Sequence, residues 1–450
     1  MTSSTQRYLN VAIGKRRDCE ITMVFSTSII IHLIVIAIFI ILAETVGLWF
    51  VCTQLNIPPD REYAALWVYQ ITILTTCVTT ICCPYSAAII AYERMNYFAK
   101  VSIVEAILKL GISFVILCAP IDRLIYYASL LLLSHIFITL WCVFFCHRNF
   151  EAIRFSKSVD RQTIRSMAGF SLWSLLGNGS LMASNQGINM LLNMSFNVIV
   201  NAAMGIAYQV NTAASALVSN FQTAFMPQIT KSYASNESSY LQKLIYTTSR
   251  YSFLLCFVVS YPIFINCDAI LRFWLSVYPE FTSGLVKVII ICVGLDALSG
   301  PLWMTAHAKG NIRNYQLTVS IFLLTTLLAC YIAVKMGYSP VIAFGSRIIV
   351  LLLLYIYRII YTKSAVGLNI GEYVKKVIWR CGLIVIVSIC FGIMISYIPM
   401  GEIARITVDF VSAILMILLI GINSSERVMV IAWCREKLNI SNSHKNTIQP

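Results

Sequence analysis

Charge is scarce in this chain. Asp, Glu, Lys and Arg make up 12% of its 450 residues, whereas 59% are hydrophobic. A polar complement this small does not coat a water-soluble particle of this size, so the solvent is a bilayer. Acidic residues are scarcer still, 19 against 33 Lys and Arg, which leaves a formal charge of +14. In a soluble protein that excess would raise nucleic acid as a partner; here its distribution along the chain accounts for it. Metal-ligand spacing is missing as well: the fifteen cysteines lie mostly inside apolar runs, and neither Cys82-Cys83 nor Cys434 has it. They read as small membrane-buried hydrophobes. A cleavable leader is not expected either. The basic Lys15-Arg16-Arg17 precedes an apolar run, Met23–Val51, that is too long for a signal peptide and has no small-x-small site after it.

Long apolar runs recur along the whole chain. Each is about 20 residues or more, enough for a helix to cross the hydrocarbon core and about twice a barrel strand. Twelve spans are predicted, at about 22–50, 64–92, 97–119, 123–146, 166–194, 200–225, 248–268, 283–307, 315–336, 339–361, 378–398 and 404–423. An even number places both termini on one side. With the N-terminus cytoplasmic, the cytoplasmic segments hold 25 of the 33 Lys and Arg, and the opposite segments hold five (Arg61, Arg123, Arg272, Lys335 and Arg405). This is the positive-inside asymmetry. Cys434 and the basic segment 147–165 are therefore predicted cytoplasmic and Asn56 external. The segment 147–165 reads as a topology determinant attracted to anionic lipid, and Asn439–Pro450 as a polar tail.

The sequence also repeats itself. Asn96-Tyr97 with Val101-Ser102-Ile103 matches Asn314-Tyr315 with Val319-Ser320-Ile321 at identical spacing, and Pro84 and Pro301 lie late in the preceding spans. Gln6 and Lys15 match Gln222 and Lys231 at the same separation, and Val24–Ser28 parallels Ile245–Ser249. Matched segments start on the same side, which makes this a parallel repeat about an axis along the membrane normal. The fold class predicted is an all-α polytopic membrane protein of about 12 helices: two pseudo-symmetric lobes of four and six, and a C-terminal pair. The boundaries are 1–146, a cytoplasmic linker 147–165, 166–361, 362–425 and a tail 426–450. Two spans precede Gln222 but none precedes Gln6, so in this register two helices are missing at the front.

The chain resembles the polysaccharide (O-antigen type) flippases of the multidrug/oligosaccharidyl-lipid/polysaccharide exporter superfamily, Bacteroides-like members above all. The carriers include Ser3–Leu9, Phe25–Ser28, Ala43–Trp49, Ile103–Leu110, Asn185–Asn189, Gly205–Asn211 and Ser219–Thr223. Family members usually have about fourteen spans in two six-helix lobes and a pair. The resemblance implies translocation of an undecaprenyl-diphosphate-linked oligosaccharide across the bacterial cytoplasmic membrane for lipopolysaccharide O-antigen or capsule assembly. It implies no covalent chemistry, no cofactor, a coupling H+ or Na+ left open, and lipids and other polysaccharide-assembly proteins as partners. Two like-oriented bundles can rock about a central site.

Polar side chains inside spans are the candidate site. Asn178, Asn185, Asn189 and Asn193 share a face of one span, and Tyr208, Asn211, Thr212, Ser215, Ser219 and Gln222 share a face of the next. Amides donate and accept, so such stripes suit sugar hydroxyls; helix-to-helix hydrogen bonding is the competing reading. Glu105 and Lys109 stand i,i+4 about halfway across the third span, where Lys109 is suited to an anion and Glu105 to holding it or carrying a coupling proton. A structural ion pair is the alternative. Asp296 and Arg347 are further interior charges, and Glu44, His32 and His135 read as structural. Three other functions stay open: a drug or cation exporter of the same superfamily, a non-transporting remnant, and a membrane glycosyltransferase or polymerase, which the short external loops disfavour.

Overall fold

A computed structural model describes residues 2–14, 18–53, 61–118, 122–156, 160–196, 198–398 and 400–422. Asn56, Lys15-Arg16-Arg17, Cys434 and the tail 426–450 lie outside the described residues. The fold is all-helical, with no strand among the described residues. The helices are α1 Thr2–Gly14, α2 Asp18–Thr53, α3 Glu62–Ala91, α4 Met95–Val115, α5 Arg123–Asn149, α6 Arg161–Ser195 and α7 Val198–Ala234. They continue as α8 Ser238–Ile265, α9 Cys267–Leu275, α10 Thr282–Lys309, α11 Arg313–Lys335, α12 Pro340–Val366, α13 Ile370–Ile395 and α14 Glu402–Gly421.

Among the described residues nine helices are long and apolar enough to cross a membrane. The other three expected spans are helices too, α4 with 21 residues, α6 with 35 and α7 with 37. What sets them apart is polarity: α4 carries Lys100, Glu105 and Lys109, and α6 and α7 carry the asparagine and hydroxyl stripes. The helices least suited to lipid are the ones that hold most of the candidate residues.

The loops preserve the repeat. The chain leaves α3 through Glu93 at φ 57° and leaves α10 through Gly310 at φ 87°, each just before the matched Asn-Tyr helix. At φ 87° Gly310 holds a backbone conformation that strains any L side chain, and a Cβ there would also displace the Arg7 guanidinium.

Contacts divide the chain into two compact units. The first comprises Met1–Asn178, Thr223–Glu237 and His307–Leu317, and the second Gly179–Gln222, Ser238–Ala306 and Thr318–Pro450. In the first unit Leu9, Phe25, Ala88, Ile89, Cys142 and Met167 form a core, and the small Ala87, Ala88 and Ala91 let α3 approach its neighbours closely. The short α1 is buried despite its polarity: Thr5 shares a 2.6 Å hydrogen bond with Ser28, and Ser4 Oγ donates to the Met167 carbonyl at 3.3 Å. The basic segment after α5 is anchored as well. Thr22 Oγ1 donates to the Ala152 carbonyl at 2.9 Å, the Ser156 amide donates to Ser26 Oγ at 2.9 Å, and Ile153 is fully buried.

Asp160 caps α6, accepting from the Thr163 amide and from Thr163 Oγ1, each at 2.9 Å. Hydrogen bonds from the Thr163 backbone hold its carboxyl below the ordinary range. The capping contribution is therefore present above the unfolded-state value and lost as pH falls through the folded-state one.

Candidate functional site

The second unit gathers polar side chains from four helices. Asn185 lies on α6, Tyr208 on α7, Asp296 on α10 and Arg347 on α12. Arg347 is half-buried, and its Nη1 donates to Asn185 Oδ1 at 2.6 Å. Tyr208 is within electrostatic reach of Arg347, and Asp296 within reach of both Arg347 and Arg358. The Asp296 side chain remains accessible. Two guanidinium groups against one carboxylate give the group a net positive charge. The Tyr208 hydroxyl, Asn189 Oδ1 and the Nε atoms of Arg347 and Arg358 are buried without hydrogen-bond partners. Each such atom costs on the order of 1–3 kcal/mol, and sites that tolerate the cost are often functional.

Gln222, on the α7 stripe, meets α10. Gln222 is buried and its Nε2 donates to the Ala297 carbonyl at 3.0 Å, while its amide lies where a Cβ on Gly300 would have to be. The Gly300→Val variant should therefore force α7 from α10 and lose about 1–3 kcal/mol, read as a lower melting temperature of the purified protein. Ser184 and Thr326 share a hydrogen bond between α6 and α11, and Gly187 lets Leu327 approach. Asn211 and Ser215 are half-buried, and Ser219 is exposed.

Glu105 and Lys109 form the expected pair on α4, 2.6 Å apart, in the first unit. Glu105 also lines a cavity of about 300 Å³ with Thr79, Ser86, Ser102, His135 and Thr139. His135 is thus a cavity residue, whereas His32 is buried with Nδ1 against the Ser28 carbonyl at 2.8 Å. Asn178 belongs to the first unit and is exposed. The structure therefore brings together Asn185, Tyr208, Asp296 and Arg347, and pairs Glu105 with Lys109.

Two features were not foreseen. Arg358, near the end of the span at 339–361, carries no sequence signal of a site, yet it lies within electrostatic reach of Asp296. At Ala43–Gly47, α2 makes a π-helical turn: the Ala43 carbonyl accepts from the Leu48 amide and also from Tyr69 Oη at 2.7 Å, and Gln70 Nε2 donates to Glu44 Oε2 at 3.2 Å. Such turns recur at functional sites. The sequence signal is a glutamate three residues before a glycine inside an apolar run. Among the described residues no His, Cys, Asp and Glu are grouped to hold a metal.

The fold is similar to that of solved MATE transporters. A MATE crystal structure in the bent conformation matches with a TM-score of 0.72 at 13% identity, over 81% of this chain and 83% of that one. An outward-facing multidrug resistance MATE family transporter matches at 0.71 and 14%, over 81% and 83%. A MOP superfamily transporter from Pyrococcus furiosus, described as having a binding pocket of reversed polarity that suggests a different function, matches at 0.67 and 15%, over 82% and 84%. No protein-family profile matches the chain, and no curated protein does.

Proposed function

We propose that this protein is a flippase moving an anionic, polyprenyl-diphosphate-linked oligosaccharide between leaflets of a bacterial cytoplasmic membrane by alternating access. The observation that carries the reading is the net positive group of Arg347, Arg358 and Asp296, bonded to an amide and flanked by a phenol. A guanidinium offers paired donors to a phosphate, and an interior site of low dielectric strengthens that attraction. Arg347 and Lys109 take the diphosphate or an acidic sugar, and Asp296 and Glu105 hold those cations in place. Asn178, Asn185, Asn189, Tyr208, Asn211 and Ser215 serve the sugar hydroxyls. Residues 1–146 and 166–361 act as the two rocking lobes, joined by a cytoplasmic linker, with 362–425 as the added pair and both termini cytoplasmic. Partner proteins of polysaccharide assembly receive the cargo.

A drug or cation exporter is the second reading. It is favoured by the accessible Asp296 and by the neighbour described as a multidrug resistance transporter. Ligand-induced stabilisation separates the two. A ligand at 100 times its Kd stabilises the state it binds by about 2.7 kcal/mol. The melting temperature of the purified protein should rise with a short-chain prenyl-diphosphate saccharide and stay unchanged with organic cations. The reverse pattern would establish the second reading.

A further inference from the structure

Asp409 stands apart from the site above. It lies about two turns into α14, 1% exposed, beside the apolar seam formed by Leu254, Phe257, Ile384, Ala413 and Ile417. A carboxylate removed from water must be paired or otherwise neutralised, because uncompensated charge in such surroundings is strongly unfavourable. Its Oδ2 accepts from Asn266 Nδ2 at 2.6 Å, but its Oδ1 is buried without a partner. Among the described residues no basic group is ion-paired with it. One neutral amide donor does not balance a full negative charge.

The Tyr261 hydroxyl of α8 comes close to this carboxylate, and polar atoms of α13 adjoin that hydroxyl. Tyr261 on α8 donates its hydroxyl to the Ser388 carbonyl of α13 at 2.6 Å and lies in reach of both Asp409 and Ser412. Gly392 makes room for that hydroxyl, since a Cβ there would stand 2.7 Å from it. Ser388 Oγ is a second buried polar atom without a partner. Asn266, at the end of α8, directs its amide nitrogen to Asp409 and to the Pro262 carbonyl, 3.3 Å away. The nearest basic side chain in sequence, Arg405 one turn earlier on α14, points a guanidinium nitrogen at the Ile398 carbonyl, 3.5 Å away.

We infer that Asp409 is the anchor of a monovalent-cation site at the joint of α8, α13 and α14, distinct from the cargo site and independent of what the cargo is. A small cation, Na+ or H+, at Oδ1 supplies the missing positive charge. Once bound it ties the C-terminal pair to α8, so occupancy stiffens that joint.

The test is the thermal stability of the purified full chain in detergent, titrated with NaCl against choline chloride at fixed ionic strength and pH, and separately with pH in choline chloride alone. Wild type should gain stability saturably in one of the two titrations, sodium or acid, and that arm identifies the cation. Asp409→Asn, which keeps the shape and removes the charge, should lose the response and melt near the saturated wild-type temperature. Tyr261→Phe should keep the response but move its midpoint roughly ten-fold, the effect of about 1.4 kcal/mol. If wild type responds to neither titration, or Asp409→Asn responds as wild type does, the proposal is overturned. If Asp409→Asn does not fold, an unchanged midpoint in Tyr261→Phe overturns it.

Discussion

Replacing Arg347 by Met should lower transport of an anionic lipid-linked cargo by on the order of 100-fold while the protein stays inserted and folded. Hydrogen bonds to a charged group contribute about 1.5–3 kcal/mol each, and about 2.7 kcal/mol corresponds to that factor. Met keeps most of the stem and its packing but removes the charge and the donor that reaches Asn185 at 2.6 Å. Arg347→Lys should recover only part, because an ammonium restores charge without the planar pair of donors. Asn185→Ala should cost less than Arg347→Met, since it removes one acceptor and leaves the cation. Initial flipping rates in proteoliposomes measure all three, and equal rates for wild type and Arg347→Met would remove Arg347 from the site.

The second large effect is expected at Arg7. Its Nε donates to the His307 carbonyl at 2.9 Å and its guanidinium reaches the Ala308 carbonyl at 3.3 Å, both in the last turn of α10. It also lies over the rings of Tyr8, 4.8 Å away, and Phe170, 5.4 Å away. Positive charge at a helix C-terminus is stabilising, and the flanking rings add cation–π attraction. Burial pushes the guanidinium below its ordinary range, though it stays charged at neutral pH. Arg7→Ala should cost about 3 kcal/mol, seen as a melting temperature lower by several degrees. Arg7→Lys should recover a fraction through its charge alone. A melting temperature unchanged in Arg7→Ala would show that these contacts are neutral.

The long helices were legible in the sequence because hydropathy and the 3.6-residue period both depend on local sequence. Even α4, α6 and α7, too polar to pass on composition, were recovered through their length and loop charges. α1 was not among the predicted helices, although Gln6 and Lys15 match Gln222 and Lys231, the latter in the last turn of α7. In α1, Ser4, Thr5, Gln6 and Asn10 are buried, and hydropathy reads such residues as exposed. Pairings between helices were not legible. The face of α6 carrying Asn185 could be drawn from spacing, but nothing local says that Arg347, 162 residues later, meets it. For the same reason Gln222 shared a stripe with Tyr208 yet packs on α10. Asp409 escaped notice because a single carboxylate in an apolar run looks the same whether it faces lipid, water or a neighbouring helix.

One measurement bears most directly on the central claim: flipping of a fluorescent diphospho-polyprenyl oligosaccharide by the purified chain in proteoliposomes, with and without an imposed sodium or proton gradient. The account predicts translocation above protein-free vesicles, loss of it in Arg347→Met, and no uptake of organic cations by the same vesicles. Cation transport without movement of the lipid-linked oligosaccharide would contradict it.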